Sequence, residues 1–136
     1  MAGTFKLSVV APDRLVFEEE IRSLVVPAHE GYLGVWAGHR PTLAALKPGV
    51  LEFVTANNQQ QYVAIAGGFA DIEPDGVIVL ADDASHSDEI DIKAAEEDLE
   101  EARKALRGET SKFTTEEATR QIERATARIR AARSAR

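Results

Sequence analysis

Residues 77–106 read VIVLADDASHSDEIDIKAAEEDLEEARKAL, and the apolar period changes inside them. Val77, Ile78, Val79, Leu80 and Ala81 make a continuous apolar run of strand length. Beyond Asp88, Ile92, Ala95, Leu99, Ala102 and Leu106 recur at spacings of three and four, which places them on one stripe of a helix. The chain therefore divides near Asp88: residues 1–87 are expected to form a strand domain and residues 88–136 a helical one.

Working back from the division, the strand signature continues. Phe5, Leu7 and Val9 alternate with Lys6, Ser8 and Val10, and Leu15, Val16, Phe17 and residues 21–26 are β-branched or aromatic runs. Residues 50–55 and 62–66 flank a polar turn at 57–61, which predicts a hairpin. Ala11-Pro12-Asp13-Arg14 and Glu73-Pro74-Asp75-Gly76 read as tight turns, the second with the Pro and Gly positions of type I. Gly67-Gly68 follows a strand and reads as a bulge or a close backbone approach. Many short strands with this punctuation predict an antiparallel sandwich or barrel rather than βαβ units.

Forward of the division, every signal is helical. Gly108 is placed to cap the first helix, and Thr114 with Glu117 three residues later makes a capping box, with Phe113 as the staple before it. Ala118, Ile122, Ala125, Ile129 and Ala132 then form a second stripe, so the two helices can pair antiparallel. The fold class is α+β: an N-terminal antiparallel β-sandwich followed by a C-terminal α-helical hairpin. Counting Ile92, Leu99, Leu106, Ile122 and Ile129 as the large members of the seam, full burial contributes at most roughly 8–15 kcal/mol. Ordering the helices costs a comparable amount. That balance suggests a detachable hairpin; permanent packing on the β region is the alternative.

The 136 residues carry a net charge of -7, and the charge is unevenly spread. Residues 88–107 hold four bases against eight acids, whereas residues 115–136 hold six bases, Arg120, Arg124, Arg128, Arg130, Arg133 and Arg136, against three acids. Arg120, Arg124 and Arg128 lie four apart, a mutually repulsive row on an isolated helix. Two readings stand: the row pairs with the acidic first helix, or it can leave and meet an acidic surface on another protein.

Composition excludes several classes of function. There is no cysteine, so there are no disulfides, and no apolar run approaches the roughly 18 residues of a membrane-spanning helix. The first residues lack a secretory pattern, and an intracellular site is expected. The acidic total argues against a nucleic-acid partner, although a whole-chain sum can hide a local patch. His29, His39 and His86 are not spaced as metal ligands, Asp82-Asp83 lacks the ladder of a calcium loop, and no nucleotide loop or nucleophile elbow occurs. No metal, no cofactor and no catalytic residue is assigned; the residues favour a non-enzyme. One segment stands out. Between strands, Glu30-Gly31-Tyr32-Leu33-Gly34-Val35-Trp36-Ala37-Gly38-His39-Arg40-Pro41 concentrates glycines, the only Trp, a His and a Pro, as contact-making loops do.

Taken in order, Ser8-Val9-Val10-Ala11-Pro12-Asp13, Glu30 to Val35, Gly38 to Pro41, Leu46-Lys47-Pro48-Gly49, Gly67-Gly68-Phe69 and residues 77–84, followed by a helical hairpin, resemble the epsilon subunit of bacterial F-type ATP synthases along essentially the whole chain. The resemblance implies a β-sandwich of about ten strands with a helical hairpin. It further implies a non-catalytic subunit of the central stalk, peripheral on the cytoplasmic face of the plasma membrane and attached to it only through the complex. In that family the β domain binds the gamma subunit and rests on the c-ring, coupling proton-driven rotation to the catalytic head of α and β subunits. The ring- and gamma-facing positions correspond here to Glu30, Gly31, Tyr32, Leu33 and Gly34 and to His39, Arg40 and Pro41, with Tyr32 where relatives often carry Glu. The family's basic last helix can extend and meet an acidic segment of the β subunit, blocking hydrolysis; Arg120, Arg124, Arg128, Arg130 and Arg133 are the counterparts. Some relatives bind ATP through a motif that begins Ile/Leu-Asp and carries an arginine; here Ile90 and Asp91 are present, but Ala94 replaces the arginine, so weak or no ATP binding is expected. The rival reading is a stand-alone β-sandwich binding module with a self-associating coiled-coil tail.

Overall fold

The computed structural model describes residues 3–135; Met1, Ala2 and Arg136, the last of the six bases counted above, lie outside the described residues. Seven strands come first: β1 (Phe5–Ala11), β2 (Arg14–Ala28), β3 (Gly31–Val35), β4 (Thr42–Thr55), β5 (Gln60–Glu73), β6 (Gly76–Ala81) and β7 (Ala84–His86). A 3₁₀ turn, Ser87–Glu89, leads to α1 (Ile92–Leu106) and α2 (Thr115–Ser134).

The pairings close on themselves: β1 bonds β6, β6 bonds β5, β5 bonds β4, β4 bonds β2, and β2 returns to β1. All are antiparallel except β1 with β6, which is parallel. Three strands serve two layers. Residues 14–21 of β2 pair with β1, and after a register shift its second half pairs with β3 and β4. β6 bonds β5 along residues 68–73, whereas β7 bonds it at 63–65. One layer thus runs β3, late β2, late β4, early β5, β7; the other runs early β2, β1, β6, late β5, early β4. Splitting the long strands gives ten segments, which reconciles seven continuous strands with the roughly ten implied by the resemblance. The two runs expected at 15–17 and 21–26 are one strand because Glu18, Glu19 and Glu20 between them stay paired with Ser8, Leu7 and Lys6 of β1.

Strand alternation sets the core. Leu7, Val9, Leu51, Phe53, Val63, Ile65, Ile72, Val77 and Val79 point inward from both layers and are buried together. At the change of layer, Gly67 and Gly68 have φ of 108° and 140°. A Cβ on Gly68 would lie 2.0 Å from the Leu80 carbonyl oxygen, so the expected close approach is a contact of β5 backbone on β6.

The hairpin ends are built as their residues specify. Gly108 N–H donates to Ala105 O and Glu109 N–H to Lys104 O, a Schellman closure of α1. Thr114 and Glu117 form the reciprocal capping box of α2. The seam between the helices is poorer in large residues than expected. Ala95, Ala102, Ala118, Ala125, Ile129 and Ala132 are buried, but Leu106 remains 46% exposed and Ile92, Leu99 and Ile122 are only partly covered. The stabilisation counted on five large side chains is therefore an overestimate, since only Ile129 of the five is buried.

What holds α2 is a second face. Ala127 and Ala131 are 3% and 0% exposed and pack on Val50 and Ala64, with Tyr62 and Ile90 beside them. Val50 and Ala64 are the outward neighbours of Leu51 and Ile65, so α2 covers the outer face of the layer made by late β4 and early β5.

Candidate functional site

The layer not covered by helices carries an apolar outer face. In register, Leu15 lies opposite Val10, Val10 beside Leu80, Leu80 opposite Phe69 and Phe69 opposite Ala45. This row crosses five strand segments, about 19 Å at the usual strand spacing. Ile78 and Leu43 flank Asp71 in the next outward row. Leu15, Leu43, Phe69, Ile78 and Leu80 are 45–72% exposed, a patch far larger than scattered surface leucines. Sequence reading missed it, since each strand contributes only one or two members and the run 77–81 does not disclose which face is uncovered.

The segment 30–41 borders this face along its β4 edge. The first half is not a loop: Gly31 to Val35 form β3, so Glu30 and His39 sit at opposite ends of a five-residue strand. At one end, His29 N–H donates to Ala45 O, and Ala28, Glu30, Tyr32 and Leu33 line a groove with Leu43 and Ala45. At the other end, Gly38 N–H donates to Pro74 O at 2.8 Å, His39 Nδ1 contacts Arg40 O at 2.7 Å and Thr42 Oγ1 donates to the same oxygen. His39, Arg40 and Pro41 lead directly into the exposed Leu43. A Cβ on Gly34 would lie 2.9 Å from the outer ring atoms of the half-exposed Trp36, so a larger residue there would displace that ring. Glu73, on the turn next to this end, has its carboxyl pushed up, first by desolvation and then by its hydrogen bond with Asp71 and the charges of Asp71 and Asp75.

The basic row of α2 faces the β domain, not chiefly the acidic first helix. Asp83 Oδ2 accepts from Arg128 Nη2 at 2.9 Å and lies 3.3 Å from Arg124 Nε. Arg130 Nη2 donates to the Tyr32 hydroxyl at 3.1 Å, and Arg133 alone of the row reaches α1, at Glu96. Two other acids of α1 are served locally, Glu100 by Arg107 and Glu101 by Lys104. Arg120 makes no ion pair among the described residues and lines a cleft of about 330 Å³ with Phe113, Pro48, Asp82 and Asp83. Of the two readings of the row, pairing with α1 does not describe Arg124 and Arg128: α1 lies across the alanine seam, while residues 124 and 128 project from a different face of α2 toward Asp83.

The ATP-motif remnant sits elsewhere. Asp91 is the N-cap of α1 and accepts from Ala94 N–H at 3.2 Å. The surrounding cleft, about 230 Å³, is lined by Glu89, Asp91 and Asp98, and its one basic side chain, Arg128, is already bound to Asp83. These residues do not fit a triphosphate, which needs unpaired positive charge.

Residues 4–87 match the family described as ATP synthase, Delta/Epsilon chain, beta-sandwich domain, and residues 88–133 its long alpha-helix domain. The ATP synthase epsilon chain of Syntrophomonas wolfei is 40% identical over 129 residues, covering 95% of this chain and 94% of that one. That of Rhizobium meliloti is 43% identical over 108 residues, 79% of this chain and 81% of that one. A chain in the Euglena gracilis mitochondrial ATP synthase OSCP/F1/c-ring structure superposes with TM-score 0.72 at 26% identity, over 97% of this chain and 81% of its own. One from the central stalk and c-ring of the Tetrahymena thermophila mitochondrial enzyme shares the fold, at TM-score 0.56 and 14% identity, over 98% and 97%. By these matches, which together span both the strand and the helical parts, the chain belongs to the ATP synthase delta/epsilon chain family.

Proposed function

We propose that this chain is a non-catalytic central-stalk subunit of a proton-translocating ATP synthase, located at the cytoplasmic face of a bacterial plasma membrane and attached there through the complex. Residues 1–87 bind the gamma subunit and rest on the c-ring, and residues 88–136 regulate hydrolysis. The observation that carries this reading is the uncovered apolar face of Leu15, Leu43, Phe69, Ile78 and Leu80, which a stable protein keeps exposed when a protein partner covers it. The bordering residues Glu30, Gly31, Tyr32, Leu33, Gly34, His39, Arg40 and Pro41 supply the rim toward gamma and the ring, with Glu30, Tyr32, His39 and Arg40 as its polar members. Arg120, Arg124, Arg128, Arg130 and Arg133 supply the contact to the β subunit, beside α, when the hairpin extends.

The rival reading needs a free apolar stripe for self-association. The seam residues Ala118, Ala125, Ile129 and Ala132 are buried within the chain, which disfavours it. The test is a pull-down with purified gamma subunit. Leu80→Asp and Phe69→Asp, at half-exposed positions, are expected to leave the fold intact and abolish capture. Retained capture by both variants refutes the assignment of this face.

A further inference from the structure

Arg124 and Arg128 lie one helical turn apart and share a single carboxylate oxygen, that of Asp83. The loop bearing Asp83 is fixed by its backbone: Ala66 N–H donates to Asp83 O and Asp82 N–H to Gly67 O. Asp83 is 31% and Arg128 28% exposed at the side chain, so water screens this pair less than it screens the other pairs of the hairpin. Ala127, between the two arginines, is seated on the sheet. The ion pair therefore exists only while α2 is docked, and lifting the helix separates the charges.

We propose that Asp83 is an internal competitor for the acidic partner of the last helix: it occupies Arg124 and Arg128 in the docked state and thereby sets how often the hairpin is released. A helix that lifts to meet an external carboxylate gives up Asp83, because Asp83 stays with its backbone-bonded loop on the β domain. An acidic protein surface that captures the lifted helix therefore takes the place of Asp83. Without Asp83, Arg124 and Arg128 have no ion pair to the β domain among the described residues, and docking rests on the small alanine face and the Arg130–Tyr32 hydrogen bond. The inference rests on reading the last helix as a partner-binding element, but its test uses the isolated chain, so inhibition of hydrolysis and internal competition fail independently.

The absence of native cysteine makes a single introduced thiol a clean reporter. Ala127→Cys, facing the sheet, is labelled by a thiol reagent only when α2 lifts; Ala70→Cys, in the β core, is labelled only on global unfolding. Asp83→Asn is expected to raise labelling at residue 127 about tenfold with labelling at residue 70 unchanged, a shift in the range of charge-assisted contacts. Arg128→Gln should act similarly, and the double variant should exceed neither single change by much, since the two changes remove the same contact. Asp83→Glu should retain most of the protection. Labelling at residue 127 within twofold of the parent in Asp83→Asn, multiplicative effects in the double variant, or a parallel rise at residue 70 each overturns the proposal.

Discussion

Replacing Ala131 by Leu probes whether the hairpin is held as the geometry indicates. Ala131 is 0% exposed and, with Ala127 one turn earlier on α2, packs on Val50 and Ala64 of the sheet, leaving no room for three more carbons. That contact is small. Burying Val50 contributes about 1.5–3 kcal/mol and the methyl groups of Ala64, Ala127 and Ala131 about 0.8 kcal/mol each, so these four fully buried members contribute at most about 4–5 kcal/mol. Overpacking costs about 1–3 kcal/mol, a large part of that total. At 1.36 kcal/mol per tenfold, the released fraction should rise about 5- to 150-fold. A thiol at Ala64→Cys, on the sheet surface beneath α2, would report release by its labelling rate, with Ala70→Cys again reporting global unfolding. Labelling at residue 64 within twofold of the parent would refute the packing argument. Equal rises at both positions would show that the β core, rather than the contact, gave way.

Three further outcomes are expected. The Glu117 carboxyl is held below the usual glutamate range, first by the Thr114 backbone N–H, so its capping contribution is fully present above the ordinary pKa and lost as pH falls through the lowered value. Helicity of the hairpin by circular dichroism should thus decline below about pH 4.3, the ordinary glutamate value, and Glu117→Gln should flatten that part of the curve; an identical curve in the variant contradicts the assignment. Gly68→Ala should destabilise the chain by more than about 2 kcal/mol in urea unfolding, because the new Cβ meets Leu80 O where β5 and β6 touch; a smaller loss would mean that the strands separate easily. Calorimetry with ATP should show no binding at micromolar concentrations, and a micromolar dissociation constant would overturn the account of the acidic cleft around Asp91 and Asp98.

The elements were legible in the sequence because their signals are local. A period of two or of 3.6, a Schellman glycine at Gly108 and a capping box at Thr114 and Glu117 each act within a turn or two of chain. The long strands β2, β4 and β5 were less legible: bulges and bends interrupt the apolar pattern as a turn does, while leaving the strand continuous. The candidate segment 30–41 was found from its composition, but its division into strand β3 and a loop at the far end depends on pairing with β2. Tyr32 shows the limit most directly, since the helix that gives its hydroxyl a partner begins more than eighty residues away.

By itself, the sequence determined that strands precede helices, that the helices form a capped hairpin, that the last helix is basic, and that the whole resembles one family. Tertiary structure decided where each amphipathic element spends its second face. Ala127 and Ala131 look like ordinary helix-forming residues until Val50 and Ala64 lie beneath them. Asp83 looks like a loop acid until Arg124 and Arg128 arrive. Leu15, Val10, Leu80 and Phe69 become a single surface only through the registers of three strand pairs. The physical reason is common to all three: a local period fixes which side chains share a face, but what that face meets depends on contacts between residues far apart in the chain.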